Sequence, residues 1–349
     1  MMRRALWLIP TLVLLAAALA DTAVWYVVEH RMHDSLAAWV AAQRADGWTV
    51  TAVAPVAGGW PVAATLTLRD FELSGGELDI PGGLAWRADR VVLRLTPSNP
   101  NVLHIEAAGL QRLRVSDAPG VAYDATHLEL LVPLQPQPMG QVLDLHGKGL
   151  RARVDVGGKP DSVTVETLAA RIVVPAATGR GQPAVSLAGA ANNIALPEHM
   201  DWPLGAHVRS LTLEGALDGP LPDAPSLTGR AAQWRDGGGK VDLQNVALHW
   251  GALDLTAHAT LGLDENLQPE GRATAQVSGY APTLDVLATH GVISNSAAIA
   301  AKAMLSLLAA TPVSGGPSEV EAPLSLNQGV VSMHRIPLIR LPHLDWPAS

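Results

Sequence analysis

From Trp48 onward, apolar and polar residues alternate with a period of two. The clearest stretch runs from Leu253 to Gly279. Leu253, Leu255, Ala257, Ala259, Leu261 and Leu263 fall on one side, and Asp254, Thr256, His258, Thr260 and Asp264 on the other. After the turn-like ENLQPEG (265–271), Ala273, Ala275 and Val277 oppose Arg272, Thr274 and Gln276. Successive strand side chains point to opposite faces, so this is a hairpin with one dry and one wet face. The same alternation recurs at 63–73, 90–95, 102–107, 142–156, 163–174, 185–190 and 240–250. It also recurs at 127–134, with Leu128, Leu130 and Val132 on one face, and at 208–217, with Leu211 and Leu213. SGG, PGG, TPSNPN, GGKPD and RDGGG separate the runs. Glycine reaches positive φ and proline ends a ladder, so these are turns. The pattern predicts an all-β, mostly antiparallel fold.

Strands buried on both faces read as continuous apolar runs, and these do not. Each dry face therefore needs a cover. After the N-terminal region the only helical periodicity lies at 283–311, where Ile299, Ala300, Ala303, Met304, Leu307 and Leu308 recur at helical spacing. One such region cannot cover a dozen strands. The sheet is expected to curl into a groove, an open barrel or a sandwich. Two last strands, 322–333 and 335–346, follow the helix, and the prolines of the second suit an edge. In a groove, the lining residues would be Leu128, Leu130, Val132, Leu211, Leu213, Leu253, Leu255, Leu261 and Leu263; in a closed sandwich the same residues are ordinary core.

The N-terminus reads differently. Arg3 and Arg4 precede an apolar run from Ala5 to Val28. As a helix that run would be about 36 Å long at roughly 1.5 Å per residue, against a bilayer core of about 30 Å. The pattern predicts a transmembrane anchor over 1–28, with the arginines in the cytoplasm and the bulk of the chain in the periplasm. Trp25 and Tyr26 fall where an interfacial aromatic belt would lie. Ala18-Leu19-Ala20 also fits a signal-peptide cleavage pattern; retention is favoured because the apolar run resumes as AVWYVV (23–28). Met32, Leu36, Trp39 and Val40 continue at helical spacing, which predicts an amphipathic stalk over 29–47 that stops at Gly47. The β-rich domain is then 48–349.

Composition narrows the chemistry. Hydrophobic residues make up 48% and charged residues 16%, a folded rather than a disordered balance. The net charge of −8 repels phosphates and argues against nucleic acid as a partner. There is no cysteine, which removes disulfides, thiolate metal sites and a cysteine nucleophile. His30 and His33 lie three apart on the stalk without a third ligand nearby, and His249 and His258 fall on the wet side of the hairpin. DGGGK (236–240) lacks the Ser/Thr and the following helix of a phosphate loop, so it reads as a hairpin turn. Asp201-Trp202-Pro203 and Asp345-Trp346-Pro347 read as turn or strand-end devices. No nucleophile elbow, HExxH or GxGxxG occurs. No enzyme, cofactor or metal is expected.

Two stretches carry a resemblance. GGWPVAATL (58–66), and Trp234 followed by the block from Gly237 to Gly279, are similar to signatures of an alphaproteobacterial envelope family, domain of unknown function 2125. "WG", "LGLDENLQPEG" and "VSG" also resemble repeats of AsmA-like proteins. Those proteins pair an inner-membrane helix with a periplasmic β-groove associated with phospholipid. The resemblance implies a single-pass inner-membrane protein whose partners are the membrane, phospholipid or fatty acyl chains, and envelope proteins. The alternative is a structural or interaction protein of the envelope with a closed core and no ligand.

Overall fold

The computed structural model of the chain describes residues 2–76, 83–116, 120–135, 140–156, 159–176, 179, 182–222, 224, 226–309, 319–333, 336–344 and 346. Of residues 2–18, 20, 155, 156, 159, 297, 307, 308 and 336–339 only the backbone is described. Parts of the expected turns at 81–83 and 157–161, the end of the expected helical region at 310–311, residues 334 and 335, Asp345 and Pro347 lie outside the described residues.

One helix, α1 (Met2–Ala45), runs unbroken through both the expected anchor and the expected stalk. The transmembrane helix expected over 1–28 is not found: among the described residues no helix is long and apolar enough to cross a membrane. The described side chains from Leu19 onward are interrupted by Asp21, Glu29, Arg31 and Asp34, while those of 5–18 and 20 lie outside the description. Gly47, at φ 84°, ends the helix, and the Trp48 amide donates back to the Gln43 carbonyl at 2.9 Å.

Strands follow in chain order: β1 (Thr49–Thr51), β2 (Val56–Gly58), β3 (Ala64–Gly75), β4 (Leu84–Thr96), β5 (Asn99–Val115), β6 (Val121–Asp124), β7 (His127–Pro133), β8 (Gln141–Val156), β9 (Lys159–Val174), β10 (Pro183–Ala195) and β11 (His207–Asp218). Helix α2 (Leu227–Asp236) leads to β12 (Lys240–Trp250), β13 (Leu253–Leu263) and β14 (Pro269–Ser278). Helices α3 (Tyr280–Thr289) and α4 (Asn295–Leu308) precede β15 (Val320–Asn327), β16 (Val330–Met333) and β17 (Ile336–Arg340). The expected helical region 283–311 is thus two helices, broken near Gly291, whose φ is 70°.

All seventeen described strands belong to one sheet. It is an antiparallel meander. β1 and β2 both pair with β3, and β3 with β4 and β4 with β5. β5 pairs with β6 and β7, and both pair with β8. Each later strand then pairs with the next, up to β17. Among the described residues no ladder joins β17 back to β1 or β2, so the sheet curls without closing into a barrel.

The registers carry the dry face from strand to strand. Leu128 lies opposite Gly147, and the row continues through Leu168, Ala191, Leu211, Leu248, Leu255, Val277 and Val320. Its cover changes along the way. Leu128 is buried, Leu168, Leu248 and Leu255 are half-buried, and Leu211 is 41% exposed. Leu187 of β10 is 38% exposed. The wet face carries cross-strand polar pairs: an ion pair from Arg171 Nε to Asp144 Oδ1 at 2.6 Å and a hydrogen-bonding contact between His104 Nδ1 and Glu129 Oε1 at 2.8 Å.

The compact core sits under α1. Buried Met32 meets Leu66, Leu68, Phe71 and Val91, with Val28, Leu36 and Val40 packed beside them. Leu66 is fully buried. Helix α2 connects β11 to β12 in sequence and packs near the end of β13; the Ser226 hydroxyl caps it by accepting from the Gly229 amide at 3.1 Å. Its buried Trp234 donates to the Asp218 carbonyl at 2.9 Å and lies so close to Gly239 that a Cβ there would meet the indole at 2.2 Å.

Candidate functional site

Helix α1 does not lie flat on the whole sheet. Between its inner face and β3, β4, β5, β7 and β8 is a cavity of about 1300 Å³. Trp25, Val28, Met32 and Leu36 form the helical wall. These positions recur every three or four residues, so they fall on one stripe of the helix. Leu93, Ile105, Leu130 and Leu145 form part of the floor, opposite one another across successive ladders. Alternation along each strand puts leucines and isoleucine inward while His104, Glu106 and Glu129 face outward.

The helical wall is held at both ends. Trp25 Nε1 donates to the Ala63 carbonyl at 3.0 Å and reaches the Gly58 carbonyl at 3.3 Å. Arg44 Nη2 donates to the Val50 carbonyl at 2.7 Å. The floor is aliphatic in the middle and aromatic at the β6 side, where Phe71 and Trp86 meet edge-to-face at 5.4 Å. Trp86 Nε1 donates to the Tyr123 hydroxyl at 3.1 Å. Burial pushes the Tyr123 phenol above its ordinary pKa, and the Trp86 donor opposes that in part. Gln111, across the ladder from Tyr123, is fully buried, and its amide makes no hydrogen bond among the described residues.

The nine leucine and valine positions expected to line a groove divide into two sets. Leu128, Leu130 and Val132 line the cavity. Leu211, Leu213, Leu253, Leu255, Leu261 and Leu263 lie outside it, on β11 and β13. Leu211 and Leu255 share the Leu128 row, and Leu213 continues the row of Leu130 through Leu145, Ala170 and Gly189. These six belong to the same dry face beyond the reach of α1. Trp25 and Val28 were missed as lining residues because their apolar run reads as membrane span. The available signal was the spacing, since both continue the Met32–Leu36 stripe toward the N-terminus.

The polar candidates are dispersed. His30 is exposed and touches Glu29 at 3.3 Å. His249 Nδ1 and the Ser210 hydroxyl lie 2.9 Å apart, and His258 is exposed. Among the described residues no group of three or more His, Asp or Glu side chains could hold a metal ion. The cavity offers desolvation and shape rather than converging charges, which suits an apolar ligand.

A family model described as "Uncharacterized protein conserved in bacteria (DUF2125)" matches residues 25–342. The match begins at Trp25, the residue that ties α1 to the sheet, and takes in the strands of the cavity and of the face beyond it. No curated protein matches the chain, and no solved structure does.

Proposed function

The chain belongs to the DUF2125 family of uncharacterized bacterial proteins, and we propose that it binds lipid acyl chains in a membrane-anchored β-trough without catalysing a reaction. The observation that carries this reading is the cavity of about 1300 Å³ between α1 and the dry face of the sheet. It exceeds the roughly 300–1,000 Å³ of an ordinary small-ligand site. Burying an acyl chain returns about 0.8 kcal/mol per methylene, so a trough must cover most of a chain to offset its removal from a bilayer. The cavity supplies the covered part. The dry face continues beyond the cavity through Leu187 and Leu211, 38% and 41% exposed, and supports the reading.

The anchor in this proposal rests on the sequence: Arg3 and Arg4, then the part of the apolar run that precedes Trp25, since Trp25 and Val28 pack on the sheet. The protein would sit in the inner membrane with its sheet in the periplasm, and its partners would be phospholipid or fatty acyl chains.

Native mass spectrometry of the full chain, purified from a bacterial envelope in lipid nanodiscs and then released, tests the reading. The expected result is a stoichiometric acyl lipid whose retention falls in Leu130→Asp, where a carboxylate stands on the apolar cavity floor. A folded wild-type chain with no retained lipid, or equal retention in folded Leu130→Asp, would overturn it.

A further inference from the structure

The tryptophan–proline turn before β3 contributes Pro61 and Ala63 to the cavity lining and leaves Trp60 and Val62 outside it. We infer that the turn from Gly58 to Ala63 seats the mouth of the cavity on the surface of a phospholipid bilayer. The inference rests on the proposed membrane anchor.

The turn is rigid and points outward. The Val62 and Ala63 amides both donate to the Gly59 carbonyl, at 3.1 and 3.0 Å. Gly59 sits at φ 88°, and a Cβ there would meet the Ala63 carbonyl at 2.6 Å. The backbone folds in on itself and leaves Trp60 53% and Val62 76% exposed. No charged residue occurs from Ala52 to Leu68. Large exposed apolar side chains on an uncharged, ordered turn mark a contact surface, and a tryptophan at the edge of an apolar phase suits the lipid headgroup region.

Its placement identifies the partner. Trp25 Nε1 fastens both ends of the turn to α1 through the Gly58 and Ala63 carbonyls. From residue 25 to Leu19, which is exposed, the helix rises about 9 Å at roughly 1.5 Å per residue. A bilayer holding the apolar run of α1 would therefore come within about two helical turns of Trp60 and Val62. The exposed lining residues Pro61, Pro97, Pro100 and Leu134 stand at the same end of the strands, next to the registers Ala64–Leu95 and Val102–Pro133. An acyl chain could then move between leaflet and cavity without a full passage through water.

The absence of cysteine permits a direct test. Single cysteines at Leu19, Val62 and, as an aqueous control, Asp254 would carry nitroxide labels in the full chain. The protein is placed in vesicles of phosphatidylethanolamine and phosphatidylglycerol. Collision of each label with oxygen and with a nickel chelate is then measured by electron paramagnetic resonance. The expected result is an oxygen-to-nickel ratio at Val62 shifted from the Asp254 value toward the Leu19 value. Trp60→Cys repeats the reading should Val62→Cys perturb the turn. A Leu19 label in lipid with Val62 and Trp60 labels as wet as Asp254 overturns this inference and leaves the anchor standing. A wet label at Leu19 overturns the anchor and the inference together.

Discussion

Replacing Leu255 by aspartate distinguishes an uncovered dry face from a closed core. Leu255 sits mid-strand in β13, opposite Leu248 and Val277, and is half-buried. A fully buried leucine contributes about 1.5–3 kcal/mol, so the partial burial here corresponds to roughly half of that. A carboxylate at Leu255 keeps contact with water and avoids most of the penalty of an unpaired buried charge. The expected loss is about 1–2 kcal/mol, within the range of ordinary point substitutions. Leu66 provides the contrast, because it is fully buried beneath α1. Leu66→Asp should cost more than about 4–5 kcal/mol and endanger a fold whose total stability is on the order of 5–15 kcal/mol. Urea unfolding of the full chain in detergent micelles, followed by far-ultraviolet circular dichroism, measures both. If Leu255→Asp were as damaging as Leu66→Asp, the β9–β13 face would be a sealed core and the trough would be wrong.

Two further outcomes follow from groups beside the cavity. Tyr123, whose folded pKa is raised above the ordinary value of 10.0, favours folding fully below that value. The contribution is lost as pH rises through the folded pKa, so Tyr123→Phe should flatten the alkaline limb of the urea midpoint above about pH 10; an unchanged limb would place the phenol in solvent. Gln111→Leu should raise stability by about 1–3 kcal/mol, since it removes a buried amide that no described residue satisfies. A loss in the same urea assay would show that the amide has a partner in solution.

The strands were legible because one face of each is wet. The hairpin from Leu253 to Gly279 emerges as β13 and β14, with β13 alternating half-buried and exposed residues over most of its length. Alternation says which residues share a face but not what lies over that face. Leu128 and Leu255 have the same pattern and belong to the same ladder row, yet only Leu128 lines the cavity beside α1. That difference is set by where a distant helix docks. Helix α2 escaped notice because its buried residues are only Ala231 and Trp234, too few to establish a helical period. Its capping by Ser226 was the usable signal. The stripe of α1 was hidden for another reason: Trp25 and Val28 are apolar on a helix whose neighbours are apolar too, so a docking face and a membrane-facing surface look alike.

The nearest-neighbour order of the meander also bears on how the chain acquires its shape. Apart from the short β1, β2 and β6, each strand finds its partners immediately before and after it in sequence. Loop-closure entropy is therefore small at most steps, the exceptions being β11 to β12 across α2 and β14 to β15 across α3 and α4. A chain synthesised from its N-terminus presents a finished edge to each new hairpin, so growth can proceed by templated addition, as in repeat arrays. The same logic makes length adjustable. Inserting or deleting a hairpin in the β9–β14 stretch alters how far the trough extends while leaving the α1-covered cavity, built from β3 to β8, untouched.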